Sequence, residues 1–278
     1  DLVFGSECGD LDILSATAPT QDMSPNDILG CHYLKALKHF HSKGICPHTL
    51  TRCDKGYLSE EPSGSYASAH HIRHLLLENN DLDVHSDTHS HSEADYRHFL
   101  PESSSSILSD ISASDRWMTM EDFHSALAYA LLLHKDTYNE IFDIYPDLAD
   151  KIKNNAEYYH SYETFVESLK SKDLSWGHLK RAMIHILLDI RKDTLASVLE
   201  RDYCAYLRVL GVRNDSSRVL SDLYNKADRP VLTSLAGLNT EEYPGLREDI
   251  FASEFYSTVN KKDGIRSSNE YRHPVIKY

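Results

Sequence analysis

The chain has 278 residues, 41% of them hydrophobic and 26% charged, enough for two compact domains that each bury a core without disulfides or metal. A formal net charge of −14 argues against tight RNA binding by the chain as a whole, although a local basic face can persist in an acidic protein. The longest purely apolar run, Ala126 to Leu133, is far short of the roughly 20 residues that cross a bilayer, and five cysteines without a CxxC pair fit reduced thiols in a cytoplasm better than a disulfide or zinc framework.

Asp1 to Phe4 reads as a buried strand that ends at Gly5-Ser6-Glu7, and from that abrupt opening we expect a further segment upstream. Asp10 to Ala18 is compatible with a short helix. Ser24-Pro25-Asn26-Asp27 combines several helix-start signals: Ser24 as N-cap, Pro25 at the first helical position and an acid at the third. The helix that follows sets Leu29, Tyr33, Leu37 and Phe40 on one predicted apolar stripe. Gly44 ends it, Ile45 to Leu50 resumes as a strand leading to Thr51-Arg52, and Tyr66 to Leu77 reads as another helix. Strand, helix, strand, helix is the rhythm of a parallel α/β sheet.

From about 78 to 115 the composition turns to Ser, Asp, His and Glu, which predicts a linker or surface insertion. Thr119 to Lys192 is helical in pattern, and Trp176, Leu179, Met183, Leu187 and Ile190 are placed on one face of its last helix. The same helix carries a polar stripe of His178, Arg181, His185, Asp189 and Lys192, read as a solvated face. Tyr203 to Gly211 is strand-like, Ser216 to Ala227 helical and Pro230 to Ser234 strand-like. The expected organisation is thus α/β and α: a partial α/β domain over 1–115, an α-helical domain over 116–200 and a small α/β unit over 201–278.

Three pieces of the first domain offer phosphate-binding groups at a strand end or a helix start, where loop backbone and helix N-termini converge in open α/β sheets. Gly5 has no Cβ to obstruct a nucleotide. Asn26 lies in the first turn of its helix, where unpaired N–H groups favour an anion and the side-chain amide adds a contact. Ser68 begins a helix with Arg73 about a turn further on, a pair able to reach adjacent phosphate oxygens, and Arg52 offers a second guanidinium just past a strand. His85, His89 and His91, with Asp87 and Glu93, are suitable metal ligands by type, but nothing in that polar stretch fixes their geometry and no metal is assigned. His70, His71 and His74 flank the Ser68/Arg73 piece and could tune its charge near neutral pH. The sequence has no GxSxG, no GxxxxGK[ST] and no HxGH string, so no catalytic residue is named.

In order along the chain stand FGSECGD (Phe4 to Asp10), PNDILGCHYLKAL (Pro25 to Leu37), HTLTR (His48 to Arg52) and SAHHIR (Ser68 to Arg73), then SLKSKDLSWGHLKRAMIHILLDI (Ser168 to Ile190) and YLRVLGV (Tyr206 to Val212). This run resembles the bacterial tRNA(Met) cytidine acetate ligase family of the HxGH-type nucleotidyltransferase superfamily. The resemblance implies the C-terminal part of a Rossmann-like nucleotidyltransferase domain joined to a helical tRNA-binding part. It implies ATP, with Mg2+, as cofactor, acetate as substrate and elongator tRNA(Met) as partner, the acetyl group passing through acetyl-adenylate to N4 of the wobble cytidine. Gly5, Asn26 and Arg52 match the family's ATP contacts, Ser68 and Arg73 the superfamily's phosphate motif, and Lys172, His178, Lys180 and Arg181 are the RNA-facing candidates. The family's HxGH belongs upstream of these motifs, so this chain alone is expected to bind ATP poorly and not to acetylate RNA. His70 stands where the family prefers a small hydroxyl residue, and Asp173-Leu174 where it carries a basic residue and an aromatic. Those departures and the acidic charge keep two other readings open: a non-catalytic binding module, and a nucleotidyltransferase acting on a small metabolite.

Overall fold

The computed structural model describes residues 1–20, 22–40, 44–53, 64–78, 96–114, 117–260 and 270–278. Its packing divides into two compact units, Asp1–Trp117 and Met118–Tyr278. Among the described residues no helix is long and apolar enough to cross a membrane.

In the first unit β1 (Leu2–Ser6) is followed by α1 (Leu11–Ala16) and α2 (Pro25–His39), then by β2 (Pro47–Thr51) and α3 (Ala69–Glu78). β1 and β2 pair in parallel, with Gly5 opposite Leu50 and Ser6 opposite Thr51, as the strand–helix rhythm predicts. Alternation along β1 turns Phe4 and Ser6 inward. Phe4 meets Leu14 of α1 and Cys31 of α2 in a small core bordered by Leu2, Leu11, Met23, Tyr33 and Leu34. α1 starts where Asp10 accepts hydrogen bonds from the N–H groups of Asp12 and Ile13.

The buried face of α2 differs from the predicted stripe. It runs through Asp27, Gly30 and Cys31 to the half-buried Leu34, while Leu29 and Phe40 are exposed. The reason is steric: a Cβ at Gly30 would stand 2.8 Å from Phe4 Cε2 and 3.2 Å from Leu14 Cδ1, so the helix approaches β1 on its small residues, not on its large ones. The stretch expected as a linker also holds more structure than its composition suggests. A 3-10 turn spans Tyr96–Phe99 and α4 spans Glu102–Ser114; the serines lower helix propensity, but Pro101 and Glu102 supply a start signal and Ile107, Leu108 and Ile111 recur at helical spacing. The candidate ligands His85, Asp87, His89, His91 and Glu93 lie outside the described residues.

The second unit opens with a 3-10 turn at Met120–Phe123, then α5 (His124–Leu133), α6 (Pro146–Asn155), α7 (Tyr162–Leu169), α8 (Trp176–Leu187) and α9 (Lys192–Leu199). Leu127 and Leu131 of α5, Leu148 and Ile152 of α6, Phe165 and Leu169 of α7, and Leu179, Met183 and Ile186 of α8 form its main core. In α8 the buried residues are Leu179, Ala182, Met183 and Ile186, an i, i+3, i+4, i+7 stripe. Leu179 and Met183 are where the sequence sets them. Trp176, by contrast, is exposed at the helix start, and Ile190 lies past its end, because the chain turns at Asp189 with φ +50°.

Beyond α9 come β3 (Leu207–Arg208), β4 (Gly211–Val212), α10 (Ser217–Lys226), β5 (Val231–Leu232), α11 (Leu246–Val259) and β6 (Ile276–Lys277). β3 pairs with β5 and β4 with β6, both in parallel, so the expected α/β character of the tail is present, although α11 and β6 were not foreseen. Leu232, Leu235, Leu246 and Ile250 form a separate core there.

Candidate functional site

Past the carboxyl ends of β1 and β2 the chain makes a tight polar cluster. Ser6, fully buried, shares a hydrogen bond of 2.6 Å with Thr49 on β2, and its oxygen accepts the N–H of Gly9 at 3.0 Å. Gly9 itself has φ +65°, and a Cβ there would stand 1.9 Å from Thr51 Oγ1. Only glycine fits a left-handed turn pressed against the end of β2. The loop is held from the other side by α2. Asp27 Oδ1 accepts the backbone N–H of Glu7 at 2.9 Å and of Cys8 at 3.1 Å. Burial alone would raise the Asp27 carboxyl, but the hydrogen bonds it accepts, among them those of the Cys8 and Glu7 amides, outweigh it and hold the group below its ordinary value.

The helix-start signals of α2 therefore do more than start a helix. Ser24 is the N-cap by backbone conformation, yet its hydroxyl makes no cap bond and donates instead to Glu7 Oε2 at 2.6 Å. Asn26 Nδ2 donates to Glu7 Oε1 at 2.7 Å. Arg52, whose backbone N–H continues the ladder to Ser6 O at 3.0 Å, brings Nε to 3.8 Å from the same oxygen. Its Cγ lies 3.6 Å from where a Cβ on Gly5 would stand, with Leu50 O at 3.9 Å as the next neighbour. Gly5, Asn26 and Arg52 are thus brought together by a parallel strand pair and one helix N-terminus.

Glu7 is the residue that sequence reasoning missed. A search for phosphate-binding groups looks for cations and amides and passes over a carboxylate. The available signal was its position, two residues beyond Gly5 at a strand end, opposite a helix start rich in donors.

Ser68 directly precedes α3, and Arg73 lies within it. Ser68 is buried and its hydroxyl accepts the N–H of His71 at 3.0 Å, the helix-capping role that its position predicts. Arg73 is on the exposed side of α3. Among the described residues no three His, Cys, Asp or Glu side chains converge in a way that could hold a metal ion.

In the second unit the polar stripe of α8 is only in part a solvated face: Arg181 and Lys192 are exposed, yet most of the stripe also bonds back to the chain. His178 Nε2 donates to the Asp143 carbonyl at 2.7 Å, Arg181 Nε to Asp143 Oδ2 at 3.0 Å and His185 Nδ1 to the Phe142 carbonyl at 3.1 Å. Lys192 Nζ reaches the carbonyls of Asn139 at 2.6 Å and Ile144 at 2.9 Å. Together they dock the connection between α5 and α6, whose backbone carbonyls need donors once buried. Burial is also the main cause that holds the His185 imidazole below its usual value. Of the four RNA-facing candidates, His178 is mostly buried and committed to Asp143, Arg181 pairs with Asp143 while keeping 59% of its side chain exposed, and Lys172 and Lys180 are exposed. Lys172 lies in the turn closed by the Ser171–Leu174 bridge. Next to it, Lys170 Nζ stands 6.0 Å from the Trp176 ring centroid.

A parallel strand pair with polar groups gathered beyond its carboxyl ends is the arrangement of the nucleotide-handling α/β proteins. The sequence model of the HIGH Nucleotidyl Transferase family matches residues 15–271, and the chain belongs to that family. Among its relatives are the tRNA(Met) cytidine acetate ligases of Bacillus velezensis, 29% identical over 261 residues, and of Thermoanaerobacter sp., 28% identical over 258 residues. Each match covers 91% of this chain and 59% of the relative, so the chain spans about three fifths of the length of those ligases. The crystal structure of apo Thermotoga maritima TmcAL superimposes with a TM-score of 0.78 at 20% identity, over 99% of this chain and 77% of that one. The same protein bound with alpha-thio ATP gives a TM-score of 0.75 at 19% identity, over 100% and 76%. These likenesses bear out the mixed fold and the family resemblance.

Proposed function

We propose that the chain is part of an ATP-dependent tRNA(Met) cytidine acetate ligase. The observation that carries this is the meeting of Asn26 and Arg52 beside Gly5, in a chain whose relatives include ligases of that name. An acetate oxygen attacks the α-phosphorus of ATP, the bond from that phosphorus to the bridging oxygen breaks, and pyrophosphate leaves as acetyl-adenylate forms. The N4 amine of the wobble cytidine then attacks the acetyl carbonyl, AMP departs, the amine loses a proton, and N4-acetylcytidine remains. Negative charge grows on the departing pyrophosphate, and a guanidinium such as Arg52 stabilises it there. Gly5 leaves room for the nucleotide, and Ser68 and Arg73 add phosphate contacts from α3. Mg2+ enters with the triphosphate.

In this reading residues 116–200 carry the tRNA, through Lys172, Lys180 and Arg181, with His178 holding the surface beneath them; residues 201–278 form a small α/β unit, and the protein works in the cytoplasm. The 278-residue chain by itself is expected to be inactive.

The test uses the full-length protein with ATP, acetate and elongator tRNA(Met), followed by mass spectrometry of the digested RNA. N4-acetylcytidine is the expected product. Its absence beside an active relative removes the assignment, and pyrophosphate release driven by another small acid, but not by acetate, points to a metabolite enzyme.

A further inference from the structure

The Glu7–Asn26 bond fixes more than a position. A carboxylate only accepts hydrogen bonds, so the group that Asn26 turns toward Glu7 at 2.7 Å must be its amide nitrogen. The carbonyl Oδ1 of Asn26 is then the outward end of the amide. Asn26 is half-buried, and no described protein donor meets that oxygen. Glu7 adds two more acceptor oxygens, each holding one strong bond, from Asn26 and from Ser24, and each with a lone pair to spare.

The cluster therefore presents acceptors to a ligand, with the exception of Arg52 at its edge, 3.8 Å from Glu7. That pattern is wrong for Asn26 as a phosphate contact, because phosphate oxygens are acceptors too and a carboxylate repels them. It suits hydroxyl donors, and a vicinal diol can serve two neighbouring acceptors at once.

We propose that Glu7 is a positioning residue that locks the Asn26 amide with its carbonyl outward, and that the pair recognises the ribose hydroxyls of the nucleotide, leaving the phosphates to Arg52. The proposal rests on the nucleotide-site reading above and replaces one of its details, the amide contact to phosphate. Glu7→Gln breaks the lock with little change of shape. A glutamine donates to Asn26 Oδ1 as readily as it accepts from Nδ2, so the asparagine amide is free to turn over.

Isothermal titration of the full-length protein with ATP, 2′-deoxy-ATP, 3′-deoxy-ATP and inosine triphosphate tests this. Wild type is expected to bind ATP about tenfold more tightly than at least one deoxy analogue, the size of one lost hydrogen bond. In Glu7→Gln and in Asn26→Ala that preference should shrink to about twofold or less, while triphosphate binding persists. A loss of general packing would weaken all four nucleotides together and leave the ratios unchanged. Equal binding of ATP and both deoxy analogues by wild type overturns the proposal, whether or not the variants fold. So does an undiminished preference in Glu7→Gln, or discrimination against inosine triphosphate alone, which would place the adenine amino group at this site. If wild type binds none of the four, the nucleotide reading itself fails.

Discussion

Replacing Gly5 by alanine separates the needs of the fold from those of the site. The added Cβ would meet Arg52 Cγ at 3.6 Å and Leu50 O at 3.9 Å, both ordinary van der Waals distances, so the strand pair accepts it. Removing glycine's freedom in the unfolded chain stabilises by about 0.4–1 kcal/mol, which raises the melting temperature by about 1–4 °C at this size. The same methyl intrudes on a nucleotide lying against the strand end. Overpacking of one methyl costs about 1–3 kcal/mol, so ATP affinity should fall by about fivefold to 150-fold. Gly30→Ala is the matched comparison: its Cβ would stand 2.8 Å from Phe4 Cε2, and the cost of about 1–3 kcal/mol should appear in stability. Thermal melts and equilibrium nucleotide binding on both full-length variants read the two effects separately. Wild-type ATP affinity in Gly5→Ala would falsify the placement of the nucleotide against β1, and a fall in melting temperature equal to that of Gly30→Ala would refute the packing argument.

Asp27→Ala leaves the N–H groups of Glu7 and Cys8 without their acceptor and should cost about 1–3 kcal/mol per group left unpaired, measured by urea unfolding. Because the Asp27 carboxyl is held below its ordinary value of 3.8, its contribution is complete above that value and is lost as pH falls through the lower folded value. The difference between wild type and variant should therefore be constant at neutral pH and close only in acid. Arg52→Ala, which removes a charged phosphate partner, should weaken ATP by about 1.5–3 kcal/mol; unchanged binding would move the phosphates elsewhere. Lys172→Ala and Lys180→Ala should each lower tRNA affinity and flatten its salt dependence by about one counterion, whereas His178→Ala should lower the stability of the second unit through loss of its bond to Asp143. A variant at Lys172 with unaltered salt dependence would take that residue off the RNA path.

Much of this was readable in the chain. The parallel pairing of β1 and β2, the start of α2 at Ser24-Pro25 and the placement of Leu179 and Met183 all follow from local pattern, since strand alternation, helix period and cap chemistry act over a few residues. The ordered motifs placed the family, and the gathering of Gly5, Asn26 and Arg52 was expected from the rule that ligands meet strand ends. Tertiary structure decided the rest. It turned Ser24 and Asp27 from helix caps into supports for the Glu7 loop, because the Glu7 carboxylate, 17 positions before Ser24, and the Glu7 backbone N–H, 20 positions before Asp27, arrive within bonding distance only after β1 and α2 have packed. It buried α2 on Gly30 and Cys31 because Phe4 needed the space. It drew the stripe of α8 onto the carbonyls of residues 139–144, since backbone acceptors removed from water must find donors and the nearest ones were those side chains. Sequence determines which groups exist and which local conformations they favour; which donor meets which acceptor is settled by distances that only the folded chain defines.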